Sequence, residues 1–444
     1  MPATLVVWTL TALIILAVLT QKWWEPRLSS RGVDAGLPWR WWLSGYPKTA
    51  LRIWWTWRRL AYLNGLSVSM TPNRQVIGRN LLVQGTALKP KPPRRTWPMP
   101  TRHGLVLRVL LHPGQTPAPY YAAAQAMEHA WHVYAVRVTS PRRGQVVITV
   151  TATDPLTGKA PVPGVSRPEL LSADVGRTED GEPWLINLRK IPHWLITGAT
   201  QSGKSSLLAS LVLGLSPQPV ALVGIDCKGG MELGLFGGRL SALAINRTQA
   251  VGLLSGVVDE ITHRMSICRA AGKRSVWDLP EGARPVPLVV IVDELAELYL
   301  TDGSRESKEQ AELCGTLLLR VAQLGAALGV HLVLAGQRVG SDIGPRVTTL
   351  RAQLGGRIAH RTHDEASAEM TLGDINPDAV VTAQSITEDE KGVAVVAMGG
   401  RWARARSRLV TTAEAAEVAW TDPPANPFLT QPDSVEFTKG GNSA

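Results

Sequence analysis

Acidic residues are nearly absent from the first third of this chain. Residues 1–150 contain three, Glu25, Asp34 and Glu128, against 19 Lys and Arg, a net of +16. The rest of the chain holds 28 bases and 33 acids, a net of −5. Such asymmetry implies an anionic partner for the N-terminal part: lipid head groups, nucleic acid, or both. Cysteine is equally scarce. Cys227, Cys268 and Cys314 are widely spaced and form no paired motif, which excludes a disulfide framework or a zinc knuckle and fits reduced thiols in a cytosolic compartment. No internal repeat is visible. With 444 residues, two or three domains are expected.

What is present begins with "ATLVVWTLTALIILAVLT", residues 3–20, a run without a charge. About 18 to 20 apolar helical residues cross a bilayer core. "QKWWEPRLSSR" follows, with a Trp pair suited to the interface and Lys22, Arg27 and Arg31 suited to the cytoplasmic side. A cleaved signal peptide needs a basic n-region and a small-x-small site; neither is found here. An uncleaved single-pass anchor over residues 1–22 is expected, with its N-terminus outside and the rest of the chain on the cytoplasmic side of the cell membrane.

Nine of the sixteen Trp fall within the first 57 residues. In "PWRWWLSGYPKTALRIWWTWRRLAYL", residues 38–63, aromatics alternate with Arg40, Lys48, Arg52, Arg58 and Arg59. A second span would bury these charges at a few kcal/mol each. A segment over 23–66 that lies on the inner leaflet and meets anionic lipid is expected; a Trp-rich helix packed on a soluble domain is the alternative. Residues 67–103, with "LKPKPPRRTWPMP", read as an extended linker. Residues 104–182 read as a small α/β domain and a further linker. "GLVLRVLL" is a strand, "TPAPYYAAAQAMEHAW" a helix, and "VYAVRVT" and "GQVVITVTA" are strands joined by "SPRRG". His129 and His132 on that helix lack a third ligand and read as surface or core histidines.

From 183 to 410 strand and helix patterns alternate, as in a largely parallel sheet with crossovers. Strands are expected at 192–197, 219–225, 287–292, 330–335, 355–360 and 392–398, and helices at 204–214, 247–272 and 305–328. Residues 411–444 lack a periodic apolar face and read as disordered.

The chemistry is concentrated in three places. "GATQSGKSS" spans Gly198, Ala199, Thr200, Gln201, Ser202, Gly203, Lys204, Ser205 and Ser206. It follows the apolar strand "HWLIT" and opens an apolar helix, the context a P-loop requires. Its glycines let backbone N–H groups face a phosphate, and the helix dipole favours the negative charge. Lys204 is placed for the β- and γ-phosphates of ATP, and Ser205 for Mg²⁺. "PLVVIVDEL" is a buried strand ending in Asp293, placed for the metal, and Glu294, placed to polarise the attacking water. "VALVGIDCKGG" ends at Asp226 and Lys228, where open α/β sheets put ligand contacts. "GVHLVLAGQR" ends at Gln337, where a polar side chain can sense the γ-phosphate.

Taken with "LLLRVAQLGAALGVHLVLAGQR" and "RIAHRTHDEASAEMTLGD", these motifs resemble the FtsK/SpoIIIE family over residues 183–410. "HPGQTPAPYYAAAQAMEHAW" and "GIDCKGGMELGLF" resemble its actinomycete plasmid-transfer members of the TraB/TraSA type. The resemblance implies a RecA-like P-loop ATPase domain of α/β class with a parallel sheet, preceded by the small α/β domain and the transmembrane helix. It implies a homo-hexamer that hydrolyses ATP to translocate double-stranded DNA in conjugation between cells, alongside other plasmid-encoded transfer proteins. Type VII-like protein export and chromosome segregation are the alternatives within the same resemblance. It also implies a catalytic arginine acting from a neighbouring subunit; Arg320, at the family's Arg-x-x-Gln position, Arg357 and Arg361 are the candidates. Two departures stand out. Cys227 replaces the usual Pro between Asp and Lys, and too little chain follows residue 410 for the winged helix that reads oriented DNA in chromosome translocases. His360 and His363, in HxxH spacing, read as strand-end residues.

Overall fold

A computed structural model describes residues 3–20, 23–24, 39–68, 90–101, 103–154, 156–157, 169–340, 342–362, 364–373, 377–399 and 401–425. The chain divides into two compact units, Met1–Pro155 and Leu156–Ala444.

The first unit begins with helix α1 (Ala3–Leu19). At 17 residues it spans about 25 Å, short of the roughly 30 Å of a bilayer core. Among the described residues no helix is long and apolar enough to cross a membrane. A short π-helical turn (Trp41–Gly45) leads into α2 (Tyr46–Leu63). The sheet comprises β1 (Arg94–Arg95), β2 (Met99–Thr101), β3 (Gly104–Leu110), β4 (Ala135–Arg142) and β5 (Gln145–Thr151). All its pairings are antiparallel, in the order β1-β3-β5-β4 with β2 also on β3. Helices α3 (Ala118–Ala122) and α4 (Ala124–Trp131) take the place of the single helix expected.

Two expectations are narrowed here for the described residues. The Trp-rich segment does not lie free: Ile53, Trp57, Leu60 and Ala61 of α2 share one core with Leu105, Leu107 and Val109 of β3, Tyr120, Met127 and Trp131. The helix is therefore amphipathic toward its own domain, with Trp57 Nε1 donating to the Pro93 carbonyl (3.1 Å) and Arg52 to that of Trp131 (2.9 Å). The part of the linker described, residues 90–101, is not a free spacer either. Arg94, Arg95 and Met99–Thr101 pair at the edge of β3, where Pro is tolerated because an edge strand needs no second partner.

The second unit is a ten-stranded sheet in the order β10-β9-β11-β12-β8-β13-β14-β15-β6-β7. Its strands are β6 (Ser172–Thr178), β7 (Pro183–Asn187), β8 (His193–Thr197), β9 (Ala221–Ile225), β10 (Ala242–Ala244), β11 (Leu288–Val292), β12 (Val330–Gly336), β13 (Gly356–His360), β14 (Val393–Met398) and β15 (Arg401–Ser407). The helices are α5 (Lys204–Leu215), α6 (Arg247–Ala270), α7 (Arg305–Leu324), α8 (Val347–Gln353), α9 (Glu365–Leu372), α10 (Pro377–Gln384) and α11 (Thr412–Thr421). The six expected strands and three long helices are present within a few residues.

The sheet is mixed rather than parallel. From β10 to β13 all pairs are parallel; β13-β14, β14-β15, β15-β6 and β6-β7 are antiparallel. The parallel strands are buried on both faces, so they are apolar without alternation (β11 is "LVVIV"). Strand β6 and Leu156 belong to this unit, so it begins before residue 183. It also extends past 410: α11 is a capped helix, Thr411 and Glu414 forming a reciprocal capping box, and Ala415 enters the core. The part of the expected disordered tail from residue 426 onward lies outside the described residues, as does His363. Two buried arginines staple backbone carbonyls beneath the sheet. Arg239 donates to those of Ser216, Gln218 and Val220, and Arg264 to those of Leu328 and Val286 beside an ion pair with Glu260 (2.7 Å).

Candidate nucleotide site

The P-loop joins β8 to α5. Gln201 and Gly203 have positive φ, +60° and +115°, which turns the chain tightly enough to aim its amides inward. The loop is pinned from outside: Ala199 N–H donates to the Arg361 carbonyl (2.8 Å) and Gly392 N–H to that of Ser202 (2.9 Å). A Cβ on Gly203 would lie 2.4 Å from Gly392 Cα, so glycine is required there by packing as well as by φ.

Strand β12 separates β8 from β11, and this order places the Gln337 turn between the P-loop and the acidic strand end. Lys204 Nζ donates to Glu294 Oε2 at 3.0 Å; Lys228 Nζ reaches the same oxygen at 3.4 Å. Glu294 Oε1 accepts the Gln337 backbone N–H at 3.1 Å. The Gln337 side chain in turn accepts from the Thr200 hydroxyl at 3.4 Å. Burial alone would raise the Glu294 pKa, but Lys204, the Gln337 amide and Lys228 outweigh it and hold the carboxyl below its ordinary value. Glu294 caps no helix: its side chain makes no bond to the short turn that it precedes.

Asp293 behaves oppositely. Burial and the neighbouring Asp226 push its pKa up to about 6 against the pull of Lys204. Its Oδ1 is buried without a hydrogen-bond partner. An orphaned carboxylate oxygen beside a second buried acid is what a divalent cation relieves, so the residues present fit Mg²⁺. Asp293 and Ser205 are the residues that would hold it. Asp226 is not a free ligand, contrary to its sequence reading. Its two oxygens accept the backbone amides of Lys228, Glu232 and Leu233, so it shapes the loop that presents Lys228.

A cavity of about 700 Å³ opens over the P-loop. Ala199, Thr200, Gln201, Gly203, Lys204, Ser205, Ser206, Asp293 and Gln337 line it, as expected; so do Lys228 and Glu232, and Lys391, Arg406, Ser407 and Leu409 from around β14 and β15. The last group carries no motif. Antiparallel pairing brings it to the site, and only the topology could have revealed it. Gly198 and Ser202 serve beneath the loop, where a Cβ on Gly198 would meet Ser202 Oγ and His360 Cβ.

The arginines separate. Arg357 is buried and donates to the carbonyls of Leu354 and Arg351, which removes it from the candidates for action on a neighbour. Arg361 pairs with Glu388 at 3.3 Å. Arg320 is exposed on α7 and does not line the cavity.

Residues 33–152 match the actinomycete conjugal transfer protein N-terminal domain, and residues 165–283 and 277–341 match the FtsK/SpoIIIE family. The chain is 40% identical over 373 residues to transfer protein TraSA of Streptomyces ambofaciens, covering 81% of this chain and 89% of that protein. It belongs to the FtsK/SpoIIIE family, among the actinomycete conjugal transfer proteins. A sporulation regulatory protein of Streptomyces azureus is 44% identical over 243 residues, covering 54% of this chain and 80% of its own length. DNA translocase FtsK of Streptomyces avermitilis is 34% identical over 222 residues, 45% of this chain but 23% of that protein. Among solved structures, the pCW3 conjugation coupling protein TcpA, a monomer form with ATPγS, shares the fold at a TM-score of 0.53 and 20% identity, covering 74% of this chain and 93% of that one. The family assignment makes the second unit a P-loop ATPase domain.

Proposed function

We propose that this protein hydrolyses ATP with Mg²⁺ to translocate double-stranded DNA during conjugative transfer. The observation that carries the reading is the convergence of Lys204, Asp293 and the Gln337 turn on one cavity at the P-loop, with Glu294 bonded to both Lys204 and the Gln337 amide. Family membership supports the substrate, since relatives named as a conjugal transfer protein and as DNA translocases share this motor. Glu294 is the base that orients the attacking water, Lys204 neutralises the transferring phosphoryl group, and Gln337 links that group's departure to the β12 turn. Ser205 and Asp293 would hold Mg²⁺, which would supply charge neutralisation for the phosphates. The motor works as a homo-hexamer, Arg320 of one subunit completing its neighbour's site.

The same proposal puts the chain on the cytoplasmic side of the cell membrane. The uncharged run at 3–20 enters the bilayer. The outer face of α2, where Trp54 and Trp55 are 55% and 77% exposed beside Arg58 and Arg59, rests on anionic lipid. The test of the central claim is ATPase rate and triplex displacement by the full-length protein with and without linear duplex DNA. Stimulation by duplex DNA is expected; a confirmed hexamer whose rate ignores duplex DNA overturns the reading.

A further inference from the structure

The cavity is larger than a triphosphate needs. Past Ser205 and Ser206 it continues to Lys391, Arg406, Ser407 and Leu409. This wall is rigidly tied to the phosphate loop: Gly392 abuts Gly203, and its amide bonds the Ser202 carbonyl. One turn further along α5, Ser210 Oγ donates to the Arg408 carbonyl at 2.8 Å, and the Arg408 side chain pairs with Glu414 of α11. The chain leaving β15 therefore crosses the first turns of α5 and is locked on both sides of that crossing.

Sheet order gives the wall its meaning. The acidic strand β11 lies on one side of β8, beyond β12; β13, β14 and β15 lie on the other. A nucleotide whose terminal phosphate faces Asp293, Glu294 and Gln337 leads its α-phosphate and nucleoside away from them, toward β14 and β15. There the cavity offers an exposed aliphatic side chain, Leu409, and a planar guanidinium, Arg406, whose Nη1 is anchored to the Leu156 carbonyl at 2.5 Å. Both suit the flat face of a purine, one by apolar contact and the other by stacking.

We propose that Arg406 and Leu409 form the nucleoside subsite, holding the purine base of the nucleotide whose phosphates occupy the P-loop. The proposal rests on the ATP reading of that loop. It makes the C-terminal chain beyond β15 part of the nucleotide site, and it assigns base affinity to the ring face.

The test compares ATP with inorganic tripolyphosphate by titration calorimetry on the full-length protein with Mg²⁺. Leu409→Ala alters an exposed side chain, and Arg406→Gln is the second variant. Each is expected to weaken ATP about tenfold while tripolyphosphate stays within about twofold of wild type. Lys204→Ala should weaken both ligands. If the two wall variants weaken both ligands in parallel, or neither, the subsite is overturned and the P-loop reading stands. If wild type binds tripolyphosphate and ATP equally, the subsite is likewise overturned. If wild type binds neither, the P-loop reading itself fails.

Discussion

Lys204 and Glu294 are joined in one buried ion pair, Nζ to Oε2 at 3.0 Å, although the proposed function gives the two side chains separate tasks. The lysine proposed to grip phosphate and the carboxylate proposed to prepare water neutralise each other. Lys228 shares the same oxygen, and the Gln337 amide holds the other. The carboxylate is thus ionised and positioned ahead of any ligand, and an arriving phosphate competes with it for Lys204.

Glu294→Gln follows directly. The amide preserves the shape and can still accept the Gln337 N–H, but it cannot take a proton. ATP should still bind, while turnover falls by about 10²–10⁴-fold, the usual worth of a general base. Single-turnover hydrolysis beside fluorescent-nucleotide binding reads both; hydrolysis at the wild-type rate would remove Glu294 from the chemistry.

The phosphate half of this site was legible in the sequence because local chain geometry creates it. A glycine-rich turn between an apolar strand and an apolar helix needs no tertiary context, and "VVIVDEL" marks a doubly buried strand with two acids at its end. The antiparallel half was not legible. Strands β6 and β7 hold short mixed patterns, and their place beside β15 depends on pairing across more than half the chain. Arg406 and Leu409 reach the cavity only through that pairing. The Trp-rich helix was ambiguous for a different reason: alternating aromatics and bases suit a lipid surface and an amphipathic helix on a sheet equally, and Trp57 and Trp55 lie on opposite faces of α2.

The base of the motor sheet carries an acid-sensitive pair. Burial lowers His193 from 6.5 to about 4, and burial with the neighbouring His193 lowers His331 to about 3. Both are neutral in the folded state and protonate more readily when unfolded, so the unfolded chain binds more protons as pH falls below 6.5. Their contribution to stability is whole above that pH and is lost progressively down to about pH 3–4. Replacing His331 by Leu should flatten this acid limb in urea unfolding curves measured between pH 4 and 7 at about 0.5-unit steps. An unchanged slope would mean that carboxylates alone set it.

The outer face of α2 gives a lipid prediction that is separable from folding. Trp57 is core, but Trp54 and Trp55 are exposed, so Trp55→Ser should leave thermal unfolding within about 0.5 kcal/mol of wild type. The comparison is made in protein lacking residues 1–22, in which the other proposed membrane contact is gone. Flotation with vesicles containing phosphatidylglycerol should fall on Trp55→Ser and on Arg58→Gln, and neutral vesicles should bind weakly throughout. Equal flotation of the parent and both variants would leave this face without a lipid role.

Arg320 is exposed, lies on α7 and is not part of its own chain's cavity lining, so the proposed catalytic part is played on a neighbour. Arg357 is already committed to carbonyls of its own chain, and Arg361 pairs with Glu388 beside the P-loop. Arg320→Ala should therefore retain ATP binding and lose about 10³-fold or more in DNA-stimulated turnover, the scale of an arginine supplied in trans. Mixing discriminates this from a packing defect. A Lys204→Ala subunit has a dead site but an intact Arg320, and an Arg320→Ala subunit the reverse. Where the two adjoin, the Lys204→Ala neighbour supplies its arginine to a competent P-loop, and a fraction of the activity should return. Two inactive variants that stay inactive at every mixing ratio, in hexamers shown to exchange subunits, would assign the trans arginine elsewhere.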